Sequence, residues 1–109
     1  MRHRAIRLPA GDVTTRAVRA GSGDTTLLFL HGYGESLVTW QAVLDPLSRR
    51  YAVLAVDLPG FGLADKPAGP YDFPTQLTRL TALLDQETRG PVVVVGHSMG
   101  GALAAELAL

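Results

Sequence analysis

The chain has 109 residues, no cysteine, and ten basic residues that balance ten acidic ones. The lack of cysteine excludes disulfides, thiolate metal sites and a cysteine nucleophile. The balanced charge gives no reason to expect nucleic acid or an acidic membrane as a partner. The composition is 47% hydrophobic, yet no apolar run is long enough to cross a bilayer, and the first residues do not resemble a secretory signal. We therefore expect a soluble cytoplasmic domain.

The first predicted elements are two short strands that form an antiparallel hairpin over residues 4–19, with a turn at 9–12. A second turn, at residues 21–24, follows the hairpin. The apolar run 25–30 then predicts a buried strand that ends at His31.

Apolar residues at helical spacing predict a helix over residues 37–49, with Ser36 as its N-cap. Pro46 is expected to kink or shorten this helix, because proline lacks the N–H that a helix interior needs. The run 51–56 predicts the next buried strand, which ends at Asp57.

A loop rich in glycine and proline is predicted over residues 57–73, and a helix from about Pro74 with Gly90 just past its end. A strand follows at 91–95, and a last helix begins at Met99. Strands that are apolar on both faces and alternate with helices predict an α/β fold, with a mostly parallel sheet and helices on both of its faces.

Residues 96–100 form the pattern G-x-S-x-G between a predicted strand and a predicted helix. A sharp turn there would expose the Ser98 side chain from a strained backbone, and side chains at Gly96 and Gly100 would collide with their surroundings. The Met99 N–H would point to where an oxyanion forms, with the start of a helix behind it. The pattern predicts a nucleophile elbow.

Two other interpretations of this turn stay open. It can be a glycine-rich connection between a strand and a helix that has no catalytic role. It can also be a dinucleotide-binding turn, but Ser98 then replaces the middle glycine of G-x-G-x-x-G/A, which lets the backbone approach a pyrophosphate.

Two further loops are expected at the same edge of the sheet. The sequence HGYG at 31–34 follows the strand 25–30, and such a glycine-rich loop can present a second N–H donor to an oxyanion. The sequence DLPGFG at 57–62 follows the strand 51–56, at the edge where open α/β sheets place their sites.

Three segments follow one another along the chain: LFLHGYGES with Trp40 after it, YAVLAVDLPGFGLADKP, and VVVVGHSMGGALAAELAL. In this order they resemble the N-terminal part of the α/β-hydrolase superfamily. The similar group includes esterases, lipases, C–C hydrolases and proline iminopeptidases. Residues 1–109 would then be an N-terminal fragment of one such domain. In line with this, the valine strand 91–95 should be central, yet no later strand in the chain could pair with its far side. The C-terminal strands are expected to be missing. Ala64 stands where similar sequences often have serine, which loosens the assignment to a subfamily.

The resemblance implies roles for individual residues. Ser98 would be the nucleophile. The N–H groups of Met99 and Tyr33 would form the oxyanion hole, with Gly34 as a substitute for Tyr33 in the oxyanion loop 31–36. Trp40 would belong to the core. The elbow would be formed by Gly96, His97 and Gly100. The residues that would support the loops without reacting are His31, Gly32 and Asp57.

The superfamily's triad runs serine, acid, histidine along the chain. The histidines here, at positions 3, 31 and 97, all precede Ser98, and Glu106 is the only acid after it. The resemblance therefore implies that this chain alone is inactive. It implies that the full-length protein cleaves a small-molecule ester, or a related acyl or C–C bond, through an acyl-serine and without metal or cofactor. Ser98 argues against the dehalogenase and epoxide-hydrolase branches, which use an aspartate. The alternatives are a non-catalytic ligand-binding protein or truncated remnant, and an acyltransferase using the same serine.

Overall fold

A computed structural model of the chain describes residues 4–108. Its sheet has five strands in the order β1-β2-β4-β3-β5. β1 pairs antiparallel with β2, and β2 with β4, whereas β3 lies parallel to both β4 and β5. The sheet is mixed, and the predicted α/β fold with its leading antiparallel hairpin is confirmed. The strands are β1 Ala5–Ala10, β2 Val13–Ala20, β3 Thr26–Leu30, β4 Ala52–Val56 and β5 Val92–Gly96.

Helices cover both faces of the sheet. α2 and α3 pack on one face, where Leu28 and Leu30 of β3 lie in a cluster with Leu103. The other face carries α1, whose Leu44 packs with Phe29. This division follows from the strand geometry, since neighbouring side chains point to opposite faces. Within residues 4–108 no helix has the length and apolar character to span a membrane. The helices are α1 Gln41–Ser48, α2 Phe73–Glu87 and α3 Met99–Ala108.

The segment predicted as one helix over 37–49 is divided in two. A 3₁₀ helix, Leu37–Trp40, precedes α1, and the Ser36 hydroxyl accepts a hydrogen bond from the Val38 N–H at 3.3 Å. The N–H of Leu37 donates to the Asp57 carboxylate at 2.8 Å, a tertiary contact that periodicity does not reveal. Pro46 lies inside α1, which ends two residues later at Ser48. The helix therefore continues through the proline to within one residue of the predicted end at residue 49.

β5 lies at the edge of the described sheet, with its far side unpaired as the sequence predicted. Among the described residues only β3 pairs with it. Val92 and Val94 pack partly against the cluster under α2 and α3, while Val93 is 51% exposed. The free edge presents unpaired backbone donors and acceptors beside apolar surface, as the sequence predicted.

Gly90 follows α2 but does not cap it. The cap is Thr88, whose N–H and hydroxyl both donate to the Leu84 carbonyl, at 2.9 Å and 2.7 Å. A Cβ placed on Gly90 would lie 2.3 Å from the carbonyl oxygen of Asp24. Glycine is required here because two backbone segments pass close together, not because a helix ends.

Asp72 caps the N-terminus of α2 and gives a prediction about pH. Its carboxylate accepts from the Thr75 N–H at 2.9 Å, and this hydrogen bond lowers the pKa of Asp72 below its ordinary value of 3.8. The stability that the charged cap provides is therefore fully present above 3.8 and is lost as the pH falls through the folded-state pKa. The Asp72→Asn variant keeps a capping oxygen without a titrating group. We expect its thermal midpoint to fall less steeply with acidification than that of the wild type.

Thermal unfolding followed by circular dichroism across the acid range measures this difference in slope. Asp85→Asn is the matched control, because Asp85 is an exposed acid on the same helix. Identical slopes for Asp72→Asn and the wild type would contradict the prediction.

Candidate active site

The carboxyl ends of β3, β4 and β5 lie side by side at one edge of the sheet, because these three strands run in parallel. His31 follows β3, Asp57 follows β4, and His97 and Ser98 follow β5. The fold thus brings together the three loops that carried the sequence motifs.

Ser98 stands on the turn between β5 and α3, with its side chain exposed. Its φ of 56° makes it the one non-glycine residue with left-handed backbone among residues 4–108. Such a conformation costs energy for a residue with a Cβ and persists only where the surroundings impose it. The Gly100 N–H donates to the His97 carbonyl at 2.9 Å, and the Ala102 N–H to the Ser98 carbonyl at 3.1 Å. The start of α3 thereby holds the strained turn.

The glycines on either side of Ser98 are required by close backbone approach. A Cβ on Gly96 would lie 2.2 Å from the Gly100 carbonyl oxygen. A Cβ on Gly100 would lie 2.2 Å from the carbonyl oxygen of Leu30 and 2.5 Å from that of His31. The elbow, residues 96–100, therefore packs directly on the end of β3.

The backbone N–H groups of Met99 and Tyr33 have no hydrogen-bond partner within the described residues, and neither has that of Gly34. Met99 begins α3, and the first N–H groups of a helix have no acceptor within it. Gly32 lies against the serine, since a Cβ built on it would be 3.2 Å from the Ser98 Cβ. Tyr33 is 77% exposed, and its ring meets that of Phe61 edge-on at 5.4 Å between centroids.

His31 is fully buried, and both of its ring nitrogens bond to backbone groups. The Leu58 N–H donates to Nε2 at 2.8 Å, so Nε2 carries no proton in this arrangement. Nδ1 then donates to the Gly32 carbonyl at 2.7 Å. The ring links the loop after β3 to the loop after β4.

Asp57 is also fully buried and joins three parts of the chain. Its carboxylate accepts from Arg16 Nε on β2, from the Leu37 N–H and from the Leu63 N–H, each at 2.8 Å. The carboxylate thereby fixes the loops after β3 and β4 to the hairpin. Its hydrogen bonds reach neither Ser98 nor a histidine.

His97 is exposed and faces Glu35, a residue for which no sequence motif predicts a role. Its Nδ1 lies 3.2 Å from Glu35 Oε1, and the same oxygen accepts from the Gly32 N–H at 2.9 Å. Glu35 and His97 are 62 positions apart. Because only the folded sheet brings them together, no local pattern could have revealed the pair.

Trp40 and Glu106 lie outside the loops around Ser98. Trp40 packs on Phe29 at 5.1 Å between ring centroids, in the cluster under α1, as expected for a core residue. Glu106 is exposed on α3. His3 falls outside the described residues. Within residues 4–108 there is no group of three or more histidine, aspartate or glutamate side chains that could hold a metal ion.

Known proteins resemble this chain in both sequence and structure. It is 38% identical over 97 residues to the dihydrolipoyllysine-residue acetyltransferase component of the acetoin cleaving system of Cupriavidus necator, covering 89% of this chain and 26% of that protein. It is 42% identical over 100 residues to 2-hydroxy-6-oxo-6-(2'-aminophenyl)hexa-2,4-dienoic acid hydrolase of Metapseudomonas resinovorans, covering 85% and 33%. The crystal structure of epoxide hydrolase VrEH1 from Vigna radiata superposes with a TM-score of 0.90 at 27% identity, covering 96% of this chain and 35% of that one.

The chain therefore spans between about a quarter and a third of the length of these proteins. It matches an N-terminal part of a hydrolase fold. A family model described as the alpha/beta hydrolase fold matches residues 25–109, which is most of the chain and includes all three loops at the carboxyl edge. The chain belongs to the alpha/beta hydrolase fold family.

Proposed function

We propose that Ser98 is the nucleophile of a cytoplasmic hydrolase that cleaves an ester, or a related acyl or C–C bond, through an acyl-serine intermediate. The observation that carries this proposal is the conformation of Ser98. An exposed serine with a φ of 56° sits between β5 and α3, where a family of hydrolases places its reactive side chain. Backbone strain of this kind concentrates at functional sites.

The proposed reaction begins when Ser98 Oγ attacks the carbonyl carbon of the substrate and loses its proton to a base. The carbonyl oxygen becomes an oxyanion, which the N–H groups of Met99 and Tyr33 would stabilise, helped by the positive end of the α3 dipole. When the oxyanion collapses, the bond to the leaving group breaks, the leaving group takes up the proton, and the acyl group stays on Oγ. Water then releases the acid and restores the serine.

The two described histidines are engaged elsewhere and are poor candidates for this base. His31 uses both ring nitrogens in buried hydrogen bonds, and His97 Nδ1 faces Glu35 rather than Ser98. A serine without a positioned base retains only the modest acceleration that oxyanion stabilisation gives. We therefore propose that residues 1–109 alone show negligible triad-dependent turnover.

Covalent trapping tests the proposed nucleophile. The native gene product that contains this sequence, purified from its source cells, is treated with a fluorophosphonate and digested for mass spectrometry. We expect the phosphonate on Ser98 and on no other serine, because the strained turn exposes this hydroxyl beside two free N–H donors. Labelling at another residue, or none where a known serine esterase reacts completely, would contradict the proposal.

A second candidate is acyl transfer, in which the same acyl-serine is attacked by an alcohol, amine or thiol instead of water. It is favoured by the similarity to a protein named as an acetyltransferase component. Competing acceptors distinguish the two, because a hydrolase yields mainly free acid when an acceptor is added, whereas a transferase yields the acylated acceptor. Epoxide opening receives less support, since position 98 is a serine and not a carboxylate.

A further inference from the structure

The peptide bond between Gly32 and Tyr33 is held in one orientation by its carbonyl oxygen. This oxygen accepts hydrogen bonds from His31 Nδ1 at 2.7 Å and from the Glu35 N–H at 3.1 Å. A trans peptide is planar, and its N–H points opposite to its C=O. The two bonds to the carbonyl therefore also set the direction of the free Tyr33 N–H, the second proposed oxyanion donor.

Glu35 holds the other side of Gly32 as well. Its carboxylate oxygen Oε1 accepts from the Gly32 N–H at 2.9 Å. The fit is close, because a Cβ on Gly32 would lie 2.6 Å from this oxygen. Through its side chain and its own N–H, Glu35 thus engages both the donor and the acceptor of one glycine.

The same carboxylate oxygen reaches the elbow. It lies 3.2 Å from Nδ1 of His97, the residue that precedes Ser98. Glu35 therefore connects the loop that carries the Tyr33 N–H with the turn that carries Ser98 and the Met99 N–H. An oxyanion hole works only when its donors converge on one point, and a displacement of about 1 Å can cost about 100-fold in rate.

We propose that Glu35 is a positioning residue that aims the Tyr33 N–H and, through His97, fixes the distance between the two oxyanion donors. The inference rests on the proposed function of Ser98. The side chains of Glu35 and His97 are 41% and 60% exposed, and ion pairs in such surroundings add little to stability. The contribution of Glu35 is therefore one of geometry, so its loss changes reactivity more than it changes unfolding.

The test compares Glu35→Ala and Glu35→Gln with Glu106→Ala and Glu106→Gln in the native gene product. Glu106 is an exposed glutamate on α3, outside the loop and the elbow, so it controls for the loss of charge. The first measurement is the rate of fluorophosphonate labelling at Ser98. The second is the amide resonance of Tyr33, observed with carbonyl-¹³C glycine and ¹⁵N tyrosine, because Gly32–Tyr33 is the one Gly-Tyr step in this sequence. Tyr33→Phe confirms the assignment.

We expect Glu35→Ala to slow labelling by about tenfold or more and to shift the Tyr33 resonance, with a thermal midpoint close to that of the wild type. Glu35→Gln keeps an oxygen for the Gly32 N–H and should recover part of the rate. Both Glu106 variants should behave as the wild type. If Glu35→Ala does not fold, Glu35→Gln carries the test, with a smaller loss of rate and a smaller shift.

Wild-type labelling at Ser98 that is unchanged in both Glu35 variants, together with an unshifted Tyr33 resonance, would overturn the inference and leave the proposed nucleophile standing. Absence of wild-type labelling would instead refute the nucleophile. The Tyr33 resonance would still decide on Glu35: a shift in Glu35→Ala but not in Glu106→Ala supports positioning, and no shift refutes it.

Discussion

Gly100→Ala is expected to lower the free energy of unfolding by about 3 kcal/mol, whereas Gly101→Ala should leave it unchanged or raise it by up to about 1 kcal/mol. Both glycines lie in the first turn of α3. Alanine has a higher helix propensity than glycine, so propensity alone favours the substitution at either position. They differ in what a Cβ would meet. At Gly100 it would be 2.2 Å from the Leu30 carbonyl oxygen, and at Gly101 its nearest neighbour is the Gly96 carbonyl oxygen at 3.4 Å.

The expected loss of stability at Gly100 is large because the atom that a Cβ would meet there belongs to the backbone. The Leu30 carbonyl ends β3 and accepts the His97 N–H at 3.1 Å, so it cannot move without loosening the elbow from the sheet. Urea unfolding followed by circular dichroism gives both free energies by linear extrapolation. Equal effects of the two substitutions would show that the elbow does not pack on β3 as described.

Ser98→Ala is expected to reduce hydrolysis by the native gene product by roughly 10⁴-fold or more and to abolish covalent labelling. Removing Oγ deletes the atom that would form the acyl intermediate, while the N–H groups of the proposed oxyanion hole stay in place. Only the small rate that these donors and substrate binding give should remain. Initial rates with an activated acyl ester measure the loss.

Ser22→Ala is the matched control for this substitution. Ser22 is an exposed serine in the turn before β3, at the opposite end of that strand from Ser98, so its loss should change neither rate nor labelling. The thermal midpoint of Ser98→Ala should stay close to that of the wild type, because alanine meets the same left-handed backbone. Turnover that survives in Ser98→Ala at more than about one tenth of the wild-type rate would rule out the proposed nucleophile.

The order of the strands and helices was predictable because it depends on local sequence patterns. Alternation of apolar runs with amphipathic segments predicted the five strands and the three α-helices in their order, and turn residues at 9–12 predicted the hairpin. The G-x-S-x-G pattern between a strand and a helix predicted the sharp turn at Ser98, whose φ of 56° the structure then showed. Each of these features depends on residues within a few positions of one another.

Features that depend on distant partners were missed or misjudged. The segment 37–49 begins as a 3₁₀ helix at Leu37, whose N–H donates to the distant Asp57. Gly90 was predicted to lie just past the end of a helix and to terminate it. Glycine is required there instead because the Asp24 carbonyl oxygen leaves no space for a Cβ.

The sequence by itself determined the α/β fold, the sharp turn at Ser98 and the family resemblance, because apolar periodicity and turn chemistry act over short stretches of chain. Only the tertiary structure decided how the loops are held. The bonds of His31 to Leu58, of Asp57 to Arg16, and of Glu35 to His97 join positions between 27 and 62 residues apart. Such contacts form because three parallel strands end at one edge, where the antiparallel strand β2 begins beside β4. The pairing that aligns these strand ends is a property of the whole sheet.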